Sequence, residues 1–145
     1  MRLVIQTVNR ASVTIDRIQH AAINKGLLCF VGFCDSDATE DFEWAINKVI
    51  NLKLFKNQTS IQEIGGELLI VSQFTLFASI KKGTKPSWSK AAKPDLAKEM
   101  YTQFIDICNS KMFRKVQTGV FGANMQVESI NDGPITITID TQKRE

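Results

Sequence analysis

Two short segments place polar side chains where a strand would not. Ser72-Gln73-Phe74-Thr75-Leu76 follows directly on the apolar Leu68-Leu69-Ile70-Val71, so two hydroxyls and a carboxamide close what reads as a buried strand. Asn131-Asp132-Gly133-Pro134-Ile135-Thr136 sets a glycine and a proline between two runs of strand-forming residues. Proline has no backbone donor and fixes its own φ, and X-Pro bonds are where cis peptides mostly occur. Two departures from local rules in one small chain mark a candidate site. The chemistry on offer is hydrogen bonding and positioning, with a backbone N–H near the break available to an oxyanion. Alternate side chains of a strand share a face, which predicts Gln73 and Thr75 on one side and Ser72, Phe74 and Leu76 on the other. The competing account is an edge strand with satisfied polar groups, and short motifs alone do not exclude it.

Other chemistries lack their residues. His20 is the only histidine, so a Ser-His-Asp or Cys-His arrangement would have to use it. It lies among Ile18, Gln19, Ala21 and Ala22, far in sequence from Ser72, and reads as an exposed strand residue. One histidine and three scattered cysteines, with no CxxC, do not make a zinc site. Gly65-Gly66 and Gly119-x-x-Gly122 lack the Lys and Ser/Thr of a phosphate loop. An enzyme built on this chain is expected to work without a triad, a metal or a cofactor.

The elements that must hold these residues follow from composition and pattern. At 145 residues the chain suits one domain, 1–145, with a real core. Its 43% hydrophobic and 23% charged residues are the balance of a globular protein. No apolar stretch approaches the ~20 residues of a membrane span. Met1-Arg2-Leu3-Val4-Ile5-Gln6 has no signal-peptide pattern, which predicts a cytosolic protein. Cys29 and Cys108 lie in apolar patterns and read as buried free thiols.

Residues 2–16 alternate, with a turn or bulge expected at Asn9-Arg10 between two strand segments. A short strand is expected over 18–23 and a central one over 27–33. Phe42, Ala45, Ile46, Val49 and Ile50 recur at helical spacing, predicting a helix over 37–51 capped from Asp35-Ser36-Asp37. A short strand at 52–55, a buried strand over 67–77 and a basic loop over 79–88 follow. Ala92, Leu96, Met100, Phe104, Ile107 and Cys108 predict a second helix, starting near Lys93 with Pro94 in its first turn and Ser87 or Ser89 as cap. Strands are expected over 114–118, 124–130 and 134–141. The sum is an α+β domain of about seven or eight strands, mostly antiparallel, with two main helices.

Charge is uneven. The net charge is +3, but Lys81, Lys82, Lys85, Lys90 and Lys93 follow one another with no acid until Asp95. Such a loop suits a phosphate backbone, or it is a solvated loop kept soluble by lysines.

Several of these segments, in this order, resemble one family. Gln6-x-Val8-x-x-Ala11-Ser12-Val13, Gly26-Leu27-Leu28, Val31-Gly32 and Gly65-Gly66-Glu67 lead into Ser72-Gln73-Phe74-Thr75-Leu76. Lys85-Pro86-Ser87, Gly119-Val120-Phe121-Gly122-Ala123-x-Met125 and Asn131-Asp132-Gly133-Pro134-Ile135-Thr136 complete the set. From Met1 to about Thr141 the chain closely resembles the D-aminoacyl-tRNA deacylase family. Lys82 and Lys85 stand where many relatives carry arginine, and Trp88 where phenylalanine is common. Lysine offers a point charge instead of a bidentate fork.

The resemblance implies a homodimer with a barrel-like core and active sites at the subunit interface. It implies hydrolysis of the ester between a D-amino acid and the terminal ribose of tRNA, and of glycine misloaded on the alanine tRNA. Gly133-Pro134 is then expected to be cis and to enter the partner's pocket, where two carbonyl oxygens exclude an L side chain. The RNA's own 2′-hydroxyl would activate water, which fits the missing base. Ser72, Gln73, Phe74 and Thr75 would line the ester, with the Phe74 N–H as oxyanion donor. Thr75 is either a nucleophile or a positioning group, and without a base the second is favoured. Phe121, Gly122, Ala123 and Met125 would hold the terminal adenosine, with Phe121 stacking on it; core packing is the alternative for Phe121 and Met125. Lys81, Lys82 and Lys85 would contact the tRNA. Two other functions stand against this one: a non-catalytic RNA-binding module built on the lysine loop, and a triad hydrolase that pairs His20 with Ser72.

Overall fold

A long first strand organises the molecule. The computed structural model describes residues 1–145, and β1 (Arg2–Ile15) is paired along both edges. On one edge its first half pairs with β3 (Gly26–Gly32) and its second half with β2 (Ile18–Ile23). On the other edge it pairs with β6 (Gln126–Asp140) over nearly its whole length. The bulge expected at Asn9-Arg10 is present, within a single strand: Val8 and Arg10 are two apart on β1, but their partners Asn131 and Ile130 are adjacent. One extra residue turns the strand over. Leu3 and Ile5 enter one core and Val8, by alternation, the other; the bulge brings Ala11 and Val13 onto the face of Val8.

β3 and β4 (Glu67–Ser72) lie between those two cores and are buried on both faces. They run parallel, as do β4 and the two-residue β5 (Gln117–Thr118). Parallel neighbours need a crossover. Helix α1 (Thr39–Asn51) supplies the first and α2 (Pro94–Lys111) the second. Three of the five strand pairings are antiparallel, so the sheet is mostly antiparallel as expected. The order β2-β1-β3-β4-β5, with β6 on β1 and β2 curling back near β4 and β5, gives a nearly closed, barrel-like sheet. Both helices cover one face, where Phe33, Phe42 and Phe104 meet edge to face. No helix is long and apolar enough to cross a membrane.

Helix α1 buries the five predicted residues. Its cap differs from expectation. Asp41 reaches back to the Ala38 N–H at 3.1 Å, because Asp37 is engaged by the Met1 ammonium and the Cys34 N–H. Helix α2 starts with Pro94 in its first turn, and the residue before it is Lys93, with no serine cap. It turns Ala97 and Tyr101 inward, whereas Leu96 is exposed. Four strand expectations are corrected. Residues 52–55 make only one isolated bridge, Phe55 to Thr59. The strand expected over 114–118 shrinks to Gln117–Thr118. The segments 124–130 and 134–141 belong to one continuous β6. The strand expected over 67–77 ends at Ser72.

Candidate active site

The end of β4 builds one wall of a cavity. Gln73 donates its N–H to the Val31 carbonyl at 2.7 Å, which holds the chain against β3 for one residue more. It then turns into a 3-10 turn, Phe74–Phe77. A Cβ on Gly32 would lie 2.6 Å from the Gln73 carbonyl, so only glycine permits this approach. Arg2 closes the far end of the turn. Its guanidinium donates to the Leu76 carbonyl at 2.9 Å, lies 4.8 Å from the Phe77 ring centre and pairs with Asp140 at 3.0 Å. Because the backbone is no longer extended after Ser72, the predicted alternation of Gln73 and Thr75 against Ser72, Phe74 and Leu76 does not hold.

The cavity has a volume of about 740 Å³. Ser72, Gln73 and Phe74 line it from one side, and Phe121, Gly122, Ala123 and Met125 from the other. Two segments distant in sequence are thus brought together. Tyr101 supports the second wall: its hydroxyl donates to the Ile70 carbonyl at 2.9 Å, and its ring lies 5.8 Å from that of Phe121. Burial pushes the Tyr101 hydroxyl well above the usual tyrosine range, so it stays protonated. The third side is Trp88 and the start of α2, with Lys93, Pro94 and Ala97. Sequence reasoning missed this side. Its signal was an exposed tryptophan and an uncapped helix start next to the lysine loop.

Other predicted residues lie outside the cavity wall. Thr75 is half-buried in the 3-10 turn, and its carbonyl accepts the Ala78 N–H. Lys81, Lys82 and Lys85 are exposed on the loop closed by the Ser79–Ser87 bridge. Gly133 and Pro134 are exposed on β6 and do not line the cavity of their own chain. There β1 and β6 part: Gln6 faces Thr136 and Val8 faces Asn131, so two steps on β1 span five on β6. Side chains hold the excursion. Asn131 donates to the carbonyls of Thr7 at 2.9 Å and Ile135 at 3.0 Å, and Thr7 donates to the Asp132 carbonyl at 2.5 Å. Gly133 has φ +123°, a conformation side chains disfavour, and the Gly133-Pro134 bond is cis.

Lys93 is the only ionisable side chain on the cavity wall; no carboxylate, imidazole, thiol or phenol reaches it. His20 is exposed on β2. Burial raises the thiols of Cys29 and Cys108, the latter to about 12, so both stay protonated and inert. The wall offers no carboxylate or imidazole to act as a general base.

Residues 4–140 match the family described as D-Tyr-tRNA(Tyr) deacylase. The chain belongs to that family. It is 46% identical over 150 residues to the D-aminoacyl-tRNA deacylase of Flavobacterium johnsoniae and 49% identical to that of Parabacteroides distasonis, each alignment covering all of both chains. A solved structure titled c-Myc DNA Unwinding Element Binding Protein superposes with a TM-score of 0.91 at 34% identity, covering 97% of this chain and 98% of that one. The chain is thus a deacylase, a hydrolase acting on D-aminoacyl-tRNA. A purely RNA-binding role is set aside.

Proposed function

We propose that the deacylase works as a homodimer in which Gly133 and Pro134 of one chain gate the cavity of the other. The observation that carries this reading is the β6 excursion. It is exposed, restrained by Asn131 and Thr7, and absent from its own chain's cavity wall. A restrained, protruding main chain with no intramolecular task fits a part made for a second copy. Main-chain carbonyls also suit a handedness gate, because they cannot rotate aside as a side chain can. An L residue would drive its side chain into them. A D residue points away, and glycine, with no side chain, passes.

In this reading Phe121, Gly122, Ala123 and Met125 take the terminal adenosine, and Ser72, Gln73 and Phe74 surround the ester. Phe74 opens the 3-10 turn, so its N–H is not needed inside that turn and is free for the carbonyl oxygen that becomes negative. The ribose 2′-hydroxyl orients water toward the ester carbon. Water adds, the tetrahedral intermediate collapses, and the 3′-oxygen leaves with a proton, giving free D-amino acid and tRNA. Thr75 positions the turn and does not attack, since no base adjoins it. The lysines of the 79–88 loop hold the phosphate backbone of the tRNA.

The test is deacylation of D-tyrosyl-tRNA and L-tyrosyl-tRNA by the purified protein. Release of D-tyrosine alone is expected; equal rates on both esters would end the gate.

A further inference from the structure

Two aromatic rings stand open at the rim of the cavity. Phe74 is 54% exposed and Trp88 is 43% exposed, unlike most large apolar side chains of the chain. Their ring centres are 5.3 Å apart and their planes cross at 76°, so each fixes the other while leaving a face to solvent. The backbone beneath Trp88 is held on both sides. Ser79 and Ser87 exchange two hydrogen bonds at 2.8 and 2.9 Å just before it, and its own carbonyl accepts the Ala91 N–H at 3.0 Å just after. A large apolar surface in water is unfavourable, and one held in place by a bridge and a turn points to an occupant.

The surroundings select the occupant. The same loop carries Lys81, Lys82, Lys85, Lys90 and Lys93 without an acidic residue, and Lys93 lines the cavity itself. Aromatic faces interleaved with cations are the surface that single-stranded nucleic acid binds: bases stack, phosphates pair with lysine. The rings are continuous with the cavity, because both Phe74 and Trp88 line it alongside Phe121. Within the function proposed above, the cavity holds the terminal nucleoside, so the shelf lies where the chain leaving that nucleoside must pass. We propose that Phe74 and Trp88 form a stacking shelf for the unpaired nucleotide that precedes the terminal adenosine of the tRNA. The shelf grips RNA independently of the amino acid.

The experiment compares two substrates in one set of variants: D-tyrosyl-tRNA and 3′-O-(D-tyrosyl)adenosine, which lacks the preceding nucleotide. Trp88→Ala is expected to lower kcat/KM on the tRNA about tenfold more than on the adenosine ester, mostly through KM. Trp88→Phe should restore most of that difference. A purely structural role lowers both substrates in proportion and overturns the shelf, as does a Trp88→Ala enzyme with no loss on tRNA. Sedimentation of Trp88→Ala gives a further check. If the substitution turns a dimeric protein into monomers, the rings meet a second copy and not RNA. In a Trp44→Phe background, where Trp88 is the only indole, the trinucleotide CCA should change its fluorescence far more than adenosine does; equal responses count against the shelf. Absent turnover of either substrate by the unaltered protein refutes the function proposed above, whereas normal turnover with an unmoved ratio refutes the shelf alone.

Discussion

The two polar interruptions of the sheet are built in opposite ways. The first, at Ser72–Phe77, ends a strand buried on both faces and is fixed by main chain: Gln73 on Val31, and Gly32 pressed against it. The second, at Asp132–Ile135, leaves a strand that has only β1 as partner and is fixed by the side chains of Asn131 and Thr7. The first lines the cavity of about 740 Å³ in its own chain, and the second does not. In the reading proposed above, the first is the catalytic wall, which must tolerate no movement and is held against the core. In that reading a gate that serves another copy has to protrude, which suits a place on the outer strand with rigidity borrowed from local hydrogen bonds.

The contrast can be broken first at the core side. Gly32→Val forces atoms into the Gln73 carbonyl and moves the turn that carries Phe74. Deacylation of D-tyrosyl-tRNA should fall by about 100-fold, since small displacements of reacting groups cost that much. Thermal unfolding should report a loss of about 1–3 kcal/mol from overpacking. A variant with normal turnover would show that the approach of β3 to Gln73 does not position the site.

The outer side should respond differently. Asn131→Ala removes two of the three side-chain hydrogen bonds that hold the excursion and leaves the one from Thr7. Rates on D- and L-tyrosyl-tRNA should converge by about tenfold, while the D rate stays within about threefold and stability drops about 1–2 kcal/mol. If the D rate collapses and the ratio holds, Asn131 supports the fold and not the gate.

Arg2 ties the first region to the end of the strand that carries the second: it touches Leu76 and, at the end of β6, Asp140. Partial burial raises the Asp140 carboxyl, but the Arg2 and Gln142 hydrogen bonds outweigh it and hold the group below its ordinary 3.8. A carboxyl depressed in the folded state stabilises that state above the unfolded value and ceases to do so as pH falls through the folded one. The melting temperatures of the unaltered protein and Asp140→Asn should therefore differ at neutral pH and converge in acid below 3.8. A constant gap would place the Asp140 contribution elsewhere.

Much of this contrast was legible in the residues. Leu3, Ile5, Val8, Ala11 and Val13 spelled out the bulge of β1, and the five apolar residues of α1 named its buried face. The exit of β4 was not legible, because Phe74, Leu76 and Phe77 continue an apolar pattern that a strand would share. What ends the strand is the approach of Gly32 to Gln73, a contact between distant segments that no local pattern contains. The sequence predicts two strands in place of β6 because Gly133-Pro134 disfavours a ladder, yet β1 pairs on both sides of the excursion and keeps it one element. The wall from Trp88 to Ala97 has no local motif, since each of its residues looks ordinary until α2 brings it to the cavity.

Mixed dimers test the central claim most directly. One chain carries Gly32→Val, which disables its cavity but keeps its Gly133-Pro134 excursion. The other carries Pro134→Ala, which frees φ at that position and loosens its excursion but keeps its cavity. In the mixed dimer the only working cavity faces the intact excursion. Discrimination between D- and L-tyrosyl-tRNA should return to that of the unaltered protein, above the level of the Pro134→Ala homodimer. Discrimination that stays at the Pro134→Ala level would mean that each chain gates its own cavity, or that the gate lies elsewhere.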